Sequence, residues 1–228
     1  MKALFADQPF NEKYHLGAVN SINWARILAQ TVYYFLAYFH VRRQIPHPES
    51  SEIQFVVPTG NFGDVLAGYY AKRMGLPMGK LVVATNSNDI LARFWRSGRY
   101  EQVDSTPEAA PPSEGAPDGK PVDGGVQATL SPAMDILVSS NFERLLWYLA
   151  YQSSSVAPDS ARRASAGSTI DRWMKSVKSN GRVEVPVEVL ELARQDFLAE
   201  RVSDDQASPA CQDHARFNDD SPFRRSKR

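Results

Sequence analysis

The sequence predicts an α/β fold with an open parallel sheet, and three observations lead to that prediction. Residues 53–57 and 81–85 are short, apolar and rich in β-branched side chains, as is typical of buried strands. A helical pattern separates them and a second one follows, so the order is strand, helix, strand, helix. This order forms a βαβ unit, whose right-handed crossover joins parallel strands. Neither strand alternates polar and apolar residues, so helices are expected on both faces of the sheet.

The composition and charge are those of an ordinary globular protein. The 228 residues are 43% hydrophobic and 23% charged, enough to bury a sizeable core. The formal net charge is zero, so neither nucleic acid nor a membrane surface is indicated as a partner. The single cysteine, Cys211, excludes an internal disulfide framework. We see no secretory signal and no apolar run that could span a bilayer, so the expected localisation is cytoplasmic.

Residues 21–39 form the first predicted helix. Its apolar positions recur at spacings of three and four and predict one buried face, made of Ile22, Ala25, Leu28, Ala29, Val32, Leu36 and Phe39. Three aromatic residues at positions 33–35 widen this surface, so we expect the helix to be largely buried. Pro46 and Pro48 end it, because proline cannot continue the backbone hydrogen-bond ladder.

The βαβ unit comes next. Strand 53–57 leads directly into Pro58 and Gly60, and a helix is predicted from Asp64 to residue 74. Gly75 suits the left-handed position that commonly follows a helix end. After strand 81–85, the sequence Asn-Ser-Asn at 86–88 offers caps for a helix that runs to about residue 96 and is closed by Gly98.

The rest of the chain divides into three parts after an α/β core at residues 1–103. Residues 104–127 are rich in proline, glycine and acidic residues and cannot offset their ordering entropy by apolar burial, so they predict a flexible insertion. Residues 128–202 continue the ordered domain with a helix capped by Ser140 or Asn141 and helices at 170–177 and 186–201. Residues 203–228 are polar and predict a disordered tail.

The loop at residues 58–64, Pro-Thr-Gly-Asn-Phe-Gly-Asp, is the most informative part of the sequence. It lies at the carboxyl end of a predicted strand, where the ligands of open α/β folds bind. Because a helix starts at once, several backbone N–H groups have no partner inside the helix. Gly60 and Gly63 allow these donors to converge on an oxyanion, and the helix dipole adds to the attraction. The loop therefore predicts a phosphate site.

Two other interpretations of the loop stay open on these residues alone. A glycine turn between a strand and a helix is often only a turn, and Asp64, an awkward neighbour for a phosphate dianion, would then simply cap the helix. A nucleotide-binding module is disfavoured, because the Walker A lysine and the Gly-x-Gly-x-x-Gly spacing are both missing. The second strand also ends at Thr85 and Asn86 rather than at an acidic ribose-binding residue.

The loop resembles the cofactor-phosphate loop of threonine synthases, nearest to the fungal type. The resemblance continues through Ala-Gly-Tyr-Tyr-Ala-Lys at residues 67–72. Three further blocks agree in the family's order, GAVNSINWAR at 17–26, ATNSNDIL at 84–91 and SPAMDIL at 131–137. The similar region covers roughly residues 2–204. It implies an incomplete pyridoxal-phosphate enzyme of fold type II, the tryptophan-synthase-β type.

The resemblance also implies an activity and residue roles. Threonine synthases are carbon–oxygen lyases that convert O-phosphohomoserine and water to L-threonine and phosphate, with pyridoxal phosphate as electron sink. By position, the cofactor phosphate would be held by Gly60, Asn61, Phe62, Gly63 and Asp64. The substrate side would be lined by Asn20, Ser21, Asn23 and Arg26. Arg26 could form a fork for an anionic group, or it could be a paired structural arginine.

No catalytic residue can be assigned. The family's Schiff-base lysine belongs to a segment N-terminal to everything in this sequence, and none of the lysines here has a matching context. The four histidines show no metal-ligand spacing, so no metal is expected. We therefore expect a truncated threonine synthase that is inactive alone. The alternative is a non-catalytic remnant, or an interaction fragment that binds phosphate.

Overall fold

A three-stranded parallel sheet lies at the centre of the protein, with helices packed around it. The computed structural model describes residues 7–16, 21–46, 51–102, 121–122 and 125–207. Its helices, in chain order, are α1 (Gln8–Tyr14), α2 (Trp24–Arg42), α3 (Gly63–Arg73), α4 (Ile90–Ser97), α5 (Phe142–Ser153), α6 (Asp159–Asn180) and α7 (Val187–Asp196). Its strands are β1 (Phe55–Pro58), β2 (Leu81–Thr85), β3 (Arg99–Glu101), β4 (Pro121–Val122), β5 (Val126–Gln127), β6 (Arg182–Glu184) and β7 (Phe197–Arg201).

The central sheet has the strand order β1-β2-β7, and both pairings are parallel. Helix α3 is the crossover from β1 to β2, and Leu81 of β2 lies opposite Phe55 on one side and Phe197 on the other. Gly75 and Gly98 both adopt the left-handed conformation at helix ends, as the sequence predicted. The predicted α/β class with a parallel sheet is confirmed.

Strand β7 corrects the predicted helix at residues 186–201. The helix ends at Asp196, and Phe197–Arg201 pairs in parallel with the whole of β2. Phe197 is completely buried there, next to the aromatic core. The pairing satisfies the second edge of β2, and a partner more than 100 residues away outweighs the local helical pattern.

Helix α2 corrects the predicted buried face. Its buried residues are Ile27, Thr31, Tyr34 and Tyr38, whereas Leu28, Val32, Leu36 and Phe39 are 45–66% exposed. The physical reason is the shape of α3, on which α2 packs. Gly68 of α3 leaves room for the Tyr34 ring, because a β-carbon there would lie 2.6 Å from the Cε1 atom of Tyr34. Close packing, rather than apolar content, selected the face.

An aromatic core fixes the end of β1 relative to the helices. The ring of Phe62 contacts Trp95 of α4, Phe142 of α5 and Phe197 of β7, with ring centroids 5.3–6.1 Å apart. These four residues come from four separate segments and are all buried. The loop that follows β1 is therefore attached to the core through one aromatic side chain.

Two small antiparallel strand pairs and the long helix α6 complete the described structure. Strand β3 pairs with β6, and β4 pairs with β5. The β4–β5 pair falls inside the segment predicted as a flexible insertion, most of which lies outside the described residues, as do residues 208–228 of the predicted tail. The domain division stays a prediction. None of the helices in the described ranges has the length and apolarity needed to cross a membrane.

Candidate functional site

The loop at residues 58–64 opens onto a cavity of about 390 Å³ at the carboxyl end of β1. The cavity is lined by the loop residues 58–65, by Ser21, Arg26 and Gln30, and by Ala133. The position agrees with the rule that ligands of open α/β sheets bind beyond the carboxyl ends of the strands. The structure thus gives the predicted loop a cavity of small-molecule size.

The backbone N–H groups of this loop are free to bind a ligand. Within the part of the chain that the structure describes, the N–H groups of Asn61, Phe62, Gly63 and Asp64 donate to no protein acceptor. Helix α3 begins at Gly63, so its dipole adds partial positive charge at the same place. Unpaired donors at a helix N-terminus favour an anion.

The carbonyl groups of the same loop are held by the segment before α5. Ser139 Oγ donates to the carbonyl oxygen of Gly60 at 2.9 Å, and Asn141 Nδ2 donates to that of Asn61 at 2.9 Å. The side chain of Asn61 is also held, because Ser140 Oγ donates to its Oδ1 at 3.2 Å. The carbonyls of Gly60 and Asn61 are thus held on the side of α5, away from the unpaired N–H groups.

Phe62 combines a strained backbone with a buried ring. Its φ is +63°, in the left-handed region that non-glycine residues rarely adopt, and its side chain is 1% exposed. Burial of the ring in the aromatic core offsets the cost of this conformation. Only the backbone N–H of Phe62 is therefore available for the predicted phosphate role.

Gly60 is needed because a second segment passes close by. A β-carbon at this position would lie 2.9 Å from the carbonyl oxygen of Ala133 and 3.1 Å from Cα of Met134. Both atoms belong to backbone, which cannot yield as a flexible side chain would. The segment around the turn Pro132–Met134 therefore covers one side of the loop.

A polar network ties that covering segment to the end of β2. The Asp135 carboxylate accepts hydrogen bonds from Asn86 Nδ2 at 2.7 Å, Thr129 Oγ1 at 2.7 Å and Asn88 Nδ2 at 3.1 Å. Asn88 Oδ1 also accepts from the N–H of Gln127 at 2.9 Å. Asn86 and Asn88 were predicted as helix caps; the structure instead uses their side chains to join distant segments, and α4 has no side-chain cap.

Tyr34 and Asp64 couple α2 to the first turn of α3. The Tyr34 hydroxyl donates to the main-chain oxygen of Asp64 at 2.8 Å. Desolvation raises the pKa of the Asp64 carboxyl above its ordinary value, and the Tyr34 hydroxyl partly opposes this shift. Desolvation and the nearby Asp64 raise the pKa of Tyr34, so it stays a hydrogen-bond donor at neutral pH. Asp64 makes no side-chain cap.

The four residues predicted for the substrate side have different positions. Ser21 and Arg26 line the cavity together with the loop. Asn23 acts as the cap of α2, its Oδ1 accepting from the N–H of Ala25 at 2.9 Å. Asn20 lies outside the described residues.

Several residues of the site were not assigned to it from the sequence. Gln30 and Ala133 line the cavity, and Ser139 and Asn141 hold the loop carbonyls. Asn141 was predicted only as a helix cap, yet it makes no side-chain cap bond. The SPAMDIL block at residues 131–137 was the one pattern that pointed to this segment, and it did not predict that the segment contacts the loop.

Neither a lysine nor a metal cluster marks this site among the described residues. The described lysines do not line the cavity, and Lys72, which follows the loop, pairs with Asp196 at 2.9 Å. In the same part of the chain, no three or more histidine, cysteine, aspartate or glutamate side chains form a group that could hold a metal.

Comparison with curated proteins identifies the relatives of this chain. It is 53% identical over 210 residues to the threonine synthase of Schizosaccharomyces pombe, and the aligned region covers 92% of this chain and 38% of that protein. It is 49% identical over 208 residues to the threonine synthase of Saccharomyces cerevisiae, covering 91% of this chain and 35% of that protein. This chain is a homologue of threonine synthase. It spans little more than a third of the length of these relatives.

Solved threonine synthases share the fold. A crystal structure of the yeast threonine synthase superposes with a TM-score of 0.74 at 47% identity, over 91% of this chain and 35% of that one. A threonine synthase from Brucella melitensis, solved with PLP bound, gives a TM-score of 0.68 at 39% identity over 90% of this chain and 36% of that one. The predicted fold type II is thereby confirmed. No family model matches the chain.

Proposed function

We propose that this chain is the part of a pyridoxal-phosphate-dependent threonine synthase that holds the phosphate of the cofactor. The complete enzyme would convert O-phosphohomoserine and water to L-threonine and phosphate, as a carbon–oxygen lyase. The observation that carries the proposal is the division of the loop. The carbonyls of Gly60 and Asn61 are occupied by the segment before α5, and four consecutive N–H groups have no partner among the described residues. The similarity to threonine synthases, one of them solved with PLP, supports the choice of ligand.

The loop residues fit a phosphate group in their chemistry. The N–H groups of residues 61–64 offer neutral donors, which bind an anion without introducing a compensating charge. Arg26 brings a cation to the same cavity, where it suits an anionic group of the substrate. Gly60 admits the backbone of residues 133–134, which covers the loop.

Pyridoxal phosphate, when bound, supplies an electron sink for carbanion chemistry on the substrate. The residues of this chain contribute binding and orientation. The loop would hold the phosphate. Ser21, from the turn before α2, and Arg26, from α2, line the same cavity. Asp64 adds a carboxyl to the lining, whose pKa is raised by desolvation. Proton transfer and covalent attachment are left to residues beyond those that line the cavity.

The second candidate is a fragment that binds phosphate without catalysis. It is favoured by the lining of the cavity, to which no described lysine contributes. Reducing a mixture of the purified chain and pyridoxal phosphate with borohydride, and mapping the modified lysines by mass spectrometry, tests whether the chain by itself attaches the cofactor. We expect scattered, substoichiometric labelling. A single lysine labelled stoichiometrically, together with threonine formation, would show that the chain is catalytic alone.

The phosphate role is tested by binding of pyridoxal phosphate, pyridoxal and inorganic phosphate to the full chain. We expect pyridoxal phosphate to bind at least about tenfold more tightly than pyridoxal and to be displaced by inorganic phosphate. Gly60→Ala should lower its affinity by about tenfold or more, because the new β-carbon collides with the Ala133 carbonyl and shifts the loop. Gly167→Ala is the matched control, since nothing lies within 4 Å of that site. Equal affinities for pyridoxal and pyridoxal phosphate would contradict the proposal.

A further inference from the structure

Asn141 is a completely buried polar residue whose hydrogen bonds connect three segments of the site. Its Nδ2 donates to the carbonyl oxygen of Ser21 at 2.8 Å and to that of Asn61 at 2.9 Å. Its backbone N–H donates to the same Asn61 oxygen at 3.1 Å. The turn before α2, the loop after β1 and the start of α5 therefore meet at one amide group.

The orientation of this amide is determined by Arg144. The Nη1 atom of Arg144 donates to Asn141 Oδ1 at 2.8 Å, and its Nη2 donates to the carbonyl oxygen of Ile22 at 2.7 Å. Arginine offers donors and no acceptor, so the atom that faces it must be the amide oxygen. The amide nitrogen is then left facing the two carbonyls, which is the arrangement that satisfies every partner.

Holding the Asn61 carbonyl also sets the direction of the next N–H group. In a trans peptide the C=O of one residue and the N–H of the following residue point in opposite directions, and the one cis peptide bond found in the described residues is Ala157–Pro158. The Asn61 oxygen is held by two donors of Asn141, so the N–H of Phe62 is turned away from α5. Ser139 Oγ acts in the same way on Gly60 and hence on the N–H of Asn61.

We propose that Asn141 is a positioning residue, which aims the loop N–H groups at the bound phosphate and fixes the Ser21 turn beside them. This inference rests on the proposed function, because the ligand it serves is the cofactor phosphate. Asn141 connects the two groups of residues that line the cavity, the phosphate loop and the Ser21–Arg26 side. Its partners Asn61 and Ser21 are 80 and 120 positions away from it in the sequence. It does so from outside the cavity lining.

The test compares Asn141→Asp with the wild-type chain. The carboxylate keeps the size of the side chain and can no longer donate to Ser21 or Asn61. We expect binding of pyridoxal phosphate and of inorganic phosphate to weaken by about tenfold or more, with little change for pyridoxal. Protonation of the introduced carboxylate restores one donor, so the ratio of wild-type to variant affinity should fall as the pH is lowered. Taking the ratio cancels the ionisation of the phosphate itself.

Hydrogen exchange separates positioning from general destabilisation. The N–H of Thr59 is bonded to Ala84 and that of Leu66 to Phe62, on either side of the loop. We expect both to exchange faster in the variant, whereas Gln102 and Val185, bonded in the β3–β6 region, should not change. Arg144→Met, which leaves Asn141 in place but removes its orienting donor, should show the same pattern more weakly.

An equal acceleration at all four amides, or an unchanged phosphate affinity in Asn141→Asp, overturns the inference. Failure of the wild-type chain to bind pyridoxal phosphate refutes the proposed function instead. In that case faster exchange confined to Thr59 and Leu66 would still support Asn141 as the residue that holds the loop.

Discussion

Helices α2 and α3 pack against each other, yet they distribute their apolar residues in opposite ways. Helix α3 buries six of its 11 residues, from Val65 to Ala71, and its extent agrees within one residue with the predicted helix from Asp64 to residue 74. Helix α2 has 19 residues and buries four. It exposes a continuous apolar surface instead, made of Leu28, Val32, Tyr33, Leu36 and Phe39. The longer and more apolar helix is the less buried one.

The difference shows that local pattern and tertiary packing can disagree within one pair of helices. The buried face of α2 includes Tyr34 and Thr31, because an aromatic ring fits above Gly68 and a hydroxyl can bond back to the Leu28 carbonyl oxygen at 2.7 Å. The more apolar face has no described neighbour of comparable extent. Val56 on the adjacent edge strand β1 is 64% exposed as well. Surfaces of this kind promote association, so we expect low solubility of the isolated chain.

The strongest test of this comparison is a pair of identical substitutions. Phe62→Ala removes a 1% exposed ring from the aromatic core and should cost about 3–5 kcal/mol of unfolding free energy. Phe39→Ala removes a 52% exposed ring from α2 and should change it by no more than about 0.5 kcal/mol. Urea unfolding followed by circular dichroism measures both. Similar losses in the two variants would mean that the α2 face is buried in solution.

The contact between the helices is tested by Gly68→Ala. The added methyl group would lie 2.6 Å from the Tyr34 ring, and we expect a loss of about 1–3 kcal/mol. Gly167→Ala in α6 is the control, because open space surrounds that position and alanine is the better helix former by up to about 1 kcal/mol. The two variants should move the unfolding midpoint in opposite directions. A stabilising Gly68→Ala would show that α2 packs elsewhere.

Asp64, at the junction of the two helices, gives a pH-dependent effect. Its pKa is raised in the folded state, so its stabilising contribution is present below the pKa of the unfolded chain and is lost as the pH rises through the folded pKa. Asp64→Asn should therefore unfold at higher urea than the wild-type chain at pH 7, and this advantage should disappear in acid. It should also bind inorganic phosphate more tightly at pH 7. A constant difference across the pH range would rule out titration of Asp64 as the cause.

The smallest effect on stability is expected from the exposed face itself. Replacing Leu28, Val32 and Leu36 together by glutamine should change the unfolding free energy by about 0.5 kcal/mol per site or less, while raising solubility. Ile27→Gln, on the buried face of the same helix, should unfold the chain. Sedimentation and the concentration of soluble protein measure the outcome. A large loss of stability in the triple variant would place these side chains in an interface.

The candidate site was predictable to the extent that its parts are contiguous. One loop between a strand and a helix contains Gly60, Asn61, Phe62, Gly63 and Asp64, and the chemistry of that turn is local. Gln30, Ser139 and Asn141 reach the same place from other segments, and their residue types gave no indication of it. The dual role of Phe62 was also hidden, because a left-handed phenylalanine is tolerated only where its ring is buried.

By itself the sequence determined the parallel βαβ unit, the glycine-containing loop and the ends of α3 and α4, because turn chemistry and periodicity act between near neighbours. Tertiary structure alone decided that Phe197–Arg201 is a strand, that α2 buries its Tyr34 face, and that Asn141 holds the loop across 80 residues. These outcomes depend on which segments meet. Their energies come from burial and hydrogen bonds between distant residues, which local patterns do not encode.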